Sequence, residues 1–462
     1  MRKLIDIIKE SLRGGEEVDY TSIGVRRAII LLSIPMVLEM GMEALFALID
    51  IFFVTKLGEV ATATVGLTET LMVPVYSIAW GLGMGATAVV ARRTGEKNKA
   101  GGRIAAAQSV LIALIIGMCI AVPSVIFAPE LLRMMGAEPE VQEAGVSYTR
   151  LMMASNLIVM LLFAINAVFR GAGNAGMALR SLALANGINI VLDPLLIFGI
   201  GFFPELGVFG AAVATTTGRT IGVLYQLYHL SRIGGPFAIR LPDLRPVADV
   251  LLVIIKISIG GVGQFLIASL SWVFLVRVVA TFGTVAVAGY MVAMRILIVT
   301  LLPAWGMANA AATLVGQNLG AKMPDRAARS AWLCGHYNMF FMVSVMILFW
   351  TASPWIVSFF DQSPEADAYA VLALRVISAG YFFYGYGMVL AQALNGAGDS
   401  VTPTWLNVIC FWLVEVPLAY VLAKPMGLGP LGVFISIAIS ESLLAVLCAI
   451  IFRRGKWKLV KV

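Results

Sequence analysis

The sequence predicts an all-α integral membrane protein: twelve transmembrane helices in two six-helix lobes that share one orientation. Three observations lead there. Of 462 residues, 60% are hydrophobic and only 13% are charged, with mean hydropathy +0.92; a soluble domain is about 45–50% apolar and about 25% charged. The second half also repeats the first about 225 residues later. Ala79-Trp80-Gly81 returns as Ala304-Trp305-Gly306, Gly171-Ala172-Gly173 as Gly396-Ala397-Gly398, and Gly58, Gly95 and Lys97 as Gly283, Gly320 and Lys322. Solenoid periods are roughly 20–50 residues, so this is duplication of a whole folding unit, the pattern of a two-lobed membrane transporter. Finally, the basic residues alternate between successive loops.

Apolar runs of roughly 20 residues can each cross a bilayer core of about 30 Å. They place spans at 28–54, 62–91, 104–128, 147–170, 179–200, 207–230, 248–280, 286–316, 327–352, 367–394, 402–423 and 430–452. Residues 1–27 form a basic N-terminal segment with Arg2, Lys3, Lys9, Arg13, Arg26 and Arg27. No secretory signal is expected there, because the first apolar run is too long for a signal core. The N-lobe is 28–230 and the C-lobe 248–452. Between them, 231–247 contains Gly234-Gly235-Pro236, Pro242 and Pro246 and reads as a linker. Residues 453–462 are a basic tail. One side of the membrane then collects the N-terminus, Arg92, Arg93, Lys97, Lys99, Arg103, Arg170, Arg180, Arg232, Arg240, Arg245, Lys322, Arg326, Arg329 and the tail. The other holds Lys56, Arg133 and Lys424 with two acidic loops, around Glu138, Glu140 and Glu143 and around Asp361, Glu365 and Asp367. The positive-inside rule makes both termini cytoplasmic, in a multi-pass protein of the cell's inner membrane. The net charge of +7 arises from this asymmetry and does not point to nucleic acid.

Ionisable side chains within a span must face protein or water, because lipid exposure costs at least about 2.5–3.5 kcal/mol. The first span carries Glu39, Glu43 and Asp50; at about 100° per residue these lie within about 40° of one another on one helical face. The fifth span sets Asn186, Asn189 and Asp193 on one face, followed by Pro194, which loosens the helical ladder. The sixth adds Thr215, Thr216 and Thr217, and the second Thr68, Glu69 and Thr70. Asp50, Asp193, Glu69 and Thr215 all fall in the outer half of the bilayer. Carboxylate, amide and hydroxyl oxygens suit a hard cation such as Na⁺, which Asp50, Asn189 and Asp193 would hold. Crowded carboxylates suit a proton equally well. The site therefore reads as a coupling-ion site for H⁺ or Na⁺. The plain alternative is that these groups pair with one another or with Arg219 to hold helices together.

At the repeat offset, Glu39, Glu43 and Asp50 fall on Gln264, Ala268 and Leu275, and Asp193-Pro194 on Val416-Pro417 after a small gap. An acid cluster is thus expected in the N-lobe alone. Arg277, Arg295, Glu415 and Glu441 are expected to pair as opposite charges, and Arg219 and Glu441 hold similar repeat positions, judged from Gly207 and Gly429. In the C-lobe, Trp272, Tyr290, Met291, Met294, Arg295, Phe383 and Tyr384 are candidates for lining a substrate cavity, since aromatic rings and methionines form adaptable surfaces for cationic or amphipathic ligands. Cys119, Cys334, Cys410 and Cys448 are scattered, and neither histidine has a metal-ligand spacing. No phosphate loop, metalloprotease motif or nucleophile elbow is present, and Gly81, Gly83 and Gly85 read as close helix packing. An enzyme is not expected, no cofactor is expected, and an ion gradient would supply the energy.

Two stretches carry a family likeness over about residues 28–452. One is Arg170-Gly171-Ala172-Gly173-Asn174 followed by Asn186-Gly187-Ile188-Asn189-Ile190-Val191-Leu192-Asp193-Pro194. The other is Val315-Gly316-Gln317-Asn318-Leu319-Gly320, with Asn395-Gly396-Ala397-Gly398-Asp399 later. The chain resembles the multidrug and toxic compound extrusion (MATE) family, in its DinF-like branch. The resemblance implies a V-shaped cavity between the lobes and export of small organic cations and amphipathic drugs across the lipid bilayer in exchange for H⁺ or Na⁺. It assigns ion-coupling roles to Asp50, Asn189 and Asp193 and to one of Thr215–Thr217. Glu43 departs from the family pattern, which has a neutral polar residue there. The second-lobe carboxylates of the NorM-like branch are not found in spans seven and ten. A flippase for lipid-linked glycans is the alternative within the same superfamily, kept open by Arg277 and Arg295; a membrane enzyme or sensor is a third reading. A monomer is expected.

Overall fold

The structure, a computed structural model, describes residues 7, 10, 11, 18–232, 237–360 and 363–462. Arg2, Lys3, Lys9 and Arg13 of the N-terminal segment, residues 234–236 of the linker and Asp361 of the second acidic loop lie outside the described residues. Among the described residues the chain is helical and carries no strand. The first half forms α1 (Val25–Thr55), α2 (Glu59–Gly95), α3 (Lys99–Ile126), the short α4 (Ala128–Met134), α5 (Pro139–Ala154), α6 (Asn156–Gly171), α7 (Ala175–Phe198) and α8 (Val208–Ser231). The second forms α9 (Ala248–Ala280), α10 (Thr284–Gly320), α11 (Pro324–Val357), α12 (Pro364–Ser378), α13 (Tyr381–Gly396), α14 (Val401–Asn407), a π-helical segment (Val408–Glu415), α15 (Val416–Ala423) and α16 (Pro430–Arg454).

Each of the twelve predicted spans is occupied by helix. Among the described residues nine helical stretches are long and apolar enough to cross a membrane, or ten with one bent pair counted as a span; α1 and α8 fill the remaining two positions. The chain is a multi-pass membrane protein. The tenth span is not straight, as the sequence alone suggested: α12 and α13 meet at 61°. The break falls at Ala379–Gly380, where glycine lowers helix propensity and leaves no side chain to obstruct the bend. The eleventh span also differs, because its middle is a π-helix.

The duplication is written into the backbone. Gly58 (φ 96°) and Gly283 (φ 106°) precede α2 and α10, and Gly173 (φ 87°) and Gly398 (φ 93°) follow α6 and α13. Lys97 (φ 55°) and Lys322 (φ 59°) take the left-handed conformation just past α2 and α10, an uncommon state for a side-chain-bearing residue. Each closes its helix through the same bond: Lys97 donates its N–H to Thr94 and Lys322 to Leu319, both at 3.0 Å.

The chain divides into two compact units, 1–18 with 38–262 and 19–37 with 263–462. The leading part of α1 therefore packs in the second unit, and the leading part of α9 in the first. The Ala-Trp-Gly repeats explain this. A Cβ on Gly81 of α2 would stand 2.4 Å from the backbone nitrogen of Val262, and one on Gly306 of α10 would stand 2.6 Å from that of Val37. Val37 and Val262 are themselves repeat mates, so each unit accepts a helix through the same glycine-floored contact.

Candidate functional site

In the first unit α7 and α8 lie side by side because glycine lets them. A Cβ at Gly218 would meet the Ala185 carbonyl oxygen at 2.5 Å, so only glycine admits this approach. It brings Asn189 of α7 against Thr215 of α8. Asn189 Nδ2 donates to Thr215 Oγ1 at 3.0 Å and to Asp193 Oδ1 at 3.3 Å. Of the three candidate threonines, Thr215 is thus the one that meets Asn189. Asn189, Asp193 and Thr215 are buried, while Asn189 Oδ1, Asp193 Oδ2 and Thr216 Oγ1 lack any hydrogen-bond partner. Buried oxygens in that state call for a ligand or water, because each forfeits its hydration.

The end of α1 completes the cluster. Asp50 lies within electrostatic range of Asp193 and of Arg219, and Glu43 within range of Arg219. Arg219 is buried, donates to Tyr76 Oη at 3.3 Å and lies over the Phe46 ring at 5.7 Å. Asn186 donates to the Met42 carbonyl at 3.3 Å and anchors α7 to α1. Two carboxylates, Glu43 and Asp50, thus share Arg219, while Asp193 has Asp50 and Asn189 beside it. The oxygens left open are hard donors, the set a small monovalent cation accepts.

Two expected members have other surroundings, although Glu39 lies within electrostatic range of Glu43. Glu39 is buried in an ion pair with Arg170 of α6, with Arg170 Nη1 to Glu39 Oε1 at 2.7 Å. Arg170, counted from sequence among the loop charges, is itself buried, and its short helix-end position hid that. Glu69 and Thr70 are exposed, whereas Thr68 is buried and shares a 2.8 Å hydrogen bond with Thr149. Sequence reasoning also missed Tyr148, which is buried within electrostatic range of Asp50, Glu69 and Tyr76. A tyrosine in the fourth span, far along the chain from those residues, carried no signal.

In the second unit, Trp272, Met294 and Tyr384 line one cavity with Tyr381 and Glu441. Tyr290 is buried and stacked on Phe434, and Met291, Arg295 and Phe383 are exposed, so these four do not join it. At about 30 Å³ the cavity has room for water or a small ion, against roughly 300–1,000 Å³ for an organic ligand. The expected pairing of Arg277 and Arg295 with Glu415 and Glu441 does not occur: no ion pair joins them among the described residues. Nor is the acid cluster confined to the first half, since Glu415 is buried within electrostatic range of Glu441.

Comparison with known proteins agrees with this architecture. The MatE family model matches residues 35–195 and 262–421, once in each repeat. "Probable multidrug resistance protein NorM" of Thermotoga maritima is 25% identical over 437 residues, 94% of this chain and 93% of that protein. The multidrug export protein MepA of Staphylococcus aureus is 23% identical, over 92% of this chain and 93% of its own length. Among solved structures, a MOP superfamily transporter from Pyrococcus furiosus, described as having a binding pocket of reversed polarity, superposes with TM-score 0.90 at 27% identity, covering 97% of this chain and 99% of that one. The family consists of transporters rather than enzymes. With both repeats matched over more than half its length, the chain belongs to the MatE family of membrane transporters.

Proposed function

We propose that the protein is a secondary active antiporter that exports cationic or amphipathic organic compounds in exchange for H⁺ or Na⁺. The supporting observation is the charge imbalance in the first unit. Glu43 and Asp50 face Arg219, and Asp193 stands beside Asp50 with no basic group acting on it among the described residues; Asn189 Oδ1 and Asp193 Oδ2 are open. Buried negative charge without a partner is costly, so an entering cation or proton stabilises the loaded state and its departure favours another. Coupling follows if ion and substrate bias the same alternating-access equilibrium. The names of NorM and MepA support drug-like substrates. In this reading the lobes are 28–230 and 248–452, joined at 231–247, with both termini cytoplasmic in the cell membrane.

The test is efflux of a fluorescent organic cation from proteoliposomes under an imposed pH or Na⁺ gradient, for wild type and Asp50→Asn. Efflux driven by one gradient and lost in the variant supports the reading and identifies the ion. Gradient-driven efflux that survives Asp50→Asn removes Asp50 from the coupling site. Absence of efflux under both gradients favours the lipid-linked glycan reading, for which the unpaired Arg277 and Arg295 and the reversed pocket polarity described for the Pyrococcus relative are the motivation.

A further inference from the structure

The second unit holds its own set of open buried oxygens. Glu415 Oε2, Glu441 Oε2, Tyr290 Oη and Ser440 Oγ are buried without a hydrogen-bond partner, and Tyr381 Oη, also buried, has the Thr300 hydroxyl near it. They come from α10, α13, the end of the π-helical segment and α16. Glu415, Tyr290 and Tyr381 are each at most 2% exposed. Glu441 and Tyr381 line the cavity of about 30 Å³, between α9, α10, α12, α13 and α16, and Glu415 and Tyr290 lie outside its lining. One water needs about 10–15 Å³ of such space, so a small ion with a water fits and an organic molecule does not. Tyr384 and Cys410 stand within electrostatic range of both glutamates, Tyr290 of Glu415, and Tyr381 and Cys448 of Glu441. No arginine, lysine or histidine acts on either carboxylate.

The local backbone is built around this pair. Counting back from Gly207 and Gly429, Glu415 is the repeat mate of Asp193, and Glu441 that of Arg219. In α7, Pro194 directly follows Asp193; in the second half, Val416 separates Glu415 from Pro417. The π-helical segment ends on Glu415. The position that in the first unit is an arginine is here a second carboxylate, so the pair has no internal countercharge.

We infer that Glu415 and Glu441, with the hydroxyls of Tyr290 and Tyr381, form a second monovalent cation site in the second unit, separate from the Asp50–Asp193 cluster. The bound charge is either a proton shared by the two carboxylates or a Na⁺ ion held by hard oxygens. Burying two glutamates with no basic partner requires such a charge. The inference concerns binding and stands whether or not the transported substrate is the one proposed above.

The experiment measures ²²Na⁺ bound per chain, and infrared absorption of protonated carboxyl groups, on the purified full chain in nanodiscs. The variants are Asp50→Asn, Glu441→Gln and the double variant Glu415→Gln/Glu441→Gln. For a Na⁺ site, Asp50→Asn keeps one bound Na⁺ that the double variant loses. For a proton site, Na⁺ binding is unaffected by the glutamine substitutions, but the protonated-carboxyl absorption falls below that of wild type by the glutamate contribution; an unchanged absorption counts against it. Glutamine preserves shape and hydrogen bonding; should the double variant not fold, Asp50→Asn with and without Glu441→Gln decides, since the difference between them reports the second unit. A chain with Asp50→Asn that shows neither bound Na⁺ nor a protonated-carboxyl band overturns the inference. Loss of efflux with both signals intact would count against the antiporter reading and not against this site.

Discussion

The ion pair between Glu39 and Arg170 permits a sharp test, because the two roles open to Glu39 predict opposite outcomes. The charged atoms are 2.7 Å apart, and the side chains are only 2% and 7% exposed. At an effective dielectric of about 20, unit charges at that distance attract by about 6 kcal/mol, against a desolvation cost of several kcal/mol for each ion. Removing one partner strands the other charge and costs about 3–5 kcal/mol. The second repeat offers the neutral counterpart: Gln264 and Asn395, the repeat mates of Glu39 and Arg170, exchange hydrogen bonds of 3.0 and 3.1 Å. Glu39→Gln and Arg170→Asn should each destabilise the chain by about 3–5 kcal/mol, and the double variant should be no worse than either. Denaturant unfolding in mild detergent, followed by tryptophan fluorescence, measures this cycle. Single effects below about 1 kcal/mol that simply add would refute the pairing. If Glu39→Gln also abolished transport without loss of stability, Glu39 would belong with the coupling ion after all.

Two further predictions concern the frame. A Cβ on Gly396 would stand 2.2 Å from the Ala312 carbonyl oxygen, a backbone atom that cannot move aside, so Gly396→Val should cost at least about 1–3 kcal/mol through overpacking; an unchanged melting temperature in detergent contradicts it. Asn98 caps α3 by accepting from Gly101 N–H at 2.8 Å, and Asn98→Ala should cost about 1 kcal/mol, read as an equally small fall in unfolding free energy with transport preserved.

The sequence revealed these features unevenly, for physical reasons. Span positions follow from hydropathy alone, and the loop glycines at 58, 173, 283 and 398 are visible because positive φ selects glycine. Asn189 and Asp193 were legible because helical spacing puts polar groups on one face inside an apolar run. Arg170 was not: an arginine at the end of an apolar span looks the same whether it reaches water or a buried acid. Glu415 and Glu441 were misread for a related reason. Opposite charge alone pointed to Arg277 and Arg295 as their partners, and the three-residue shortening between Gly398 and Gly429 displaced the repeat alignment. The exchange of leading helix segments leaves only glycines at 81 and 306 as its trace.

The two units solve one electrostatic problem with different residues. In the first, Glu43, Asp50 and Asp193 against Arg219 leave a formal excess of two negative charges, once the neutral Glu39–Arg170 pair is set aside. In the second, Leu275 replaces Asp50 and Ala268 replaces Glu43, an amide pair replaces the ion pair, and the positions of Asp193 and Arg219 are both glutamate. The excess is again two. Two carboxylates of the leading helix are lost, and the change of the arginine position to glutamate makes up the same two charges. A purely structural polar cluster has no reason to keep that imbalance, since pairing every charge or removing all of them is cheaper in an apolar interior. On the reading proposed above, duplicated units that have exchanged nearly every residue at these positions, yet each retain unbalanced carboxylates, would each be completed by a cation.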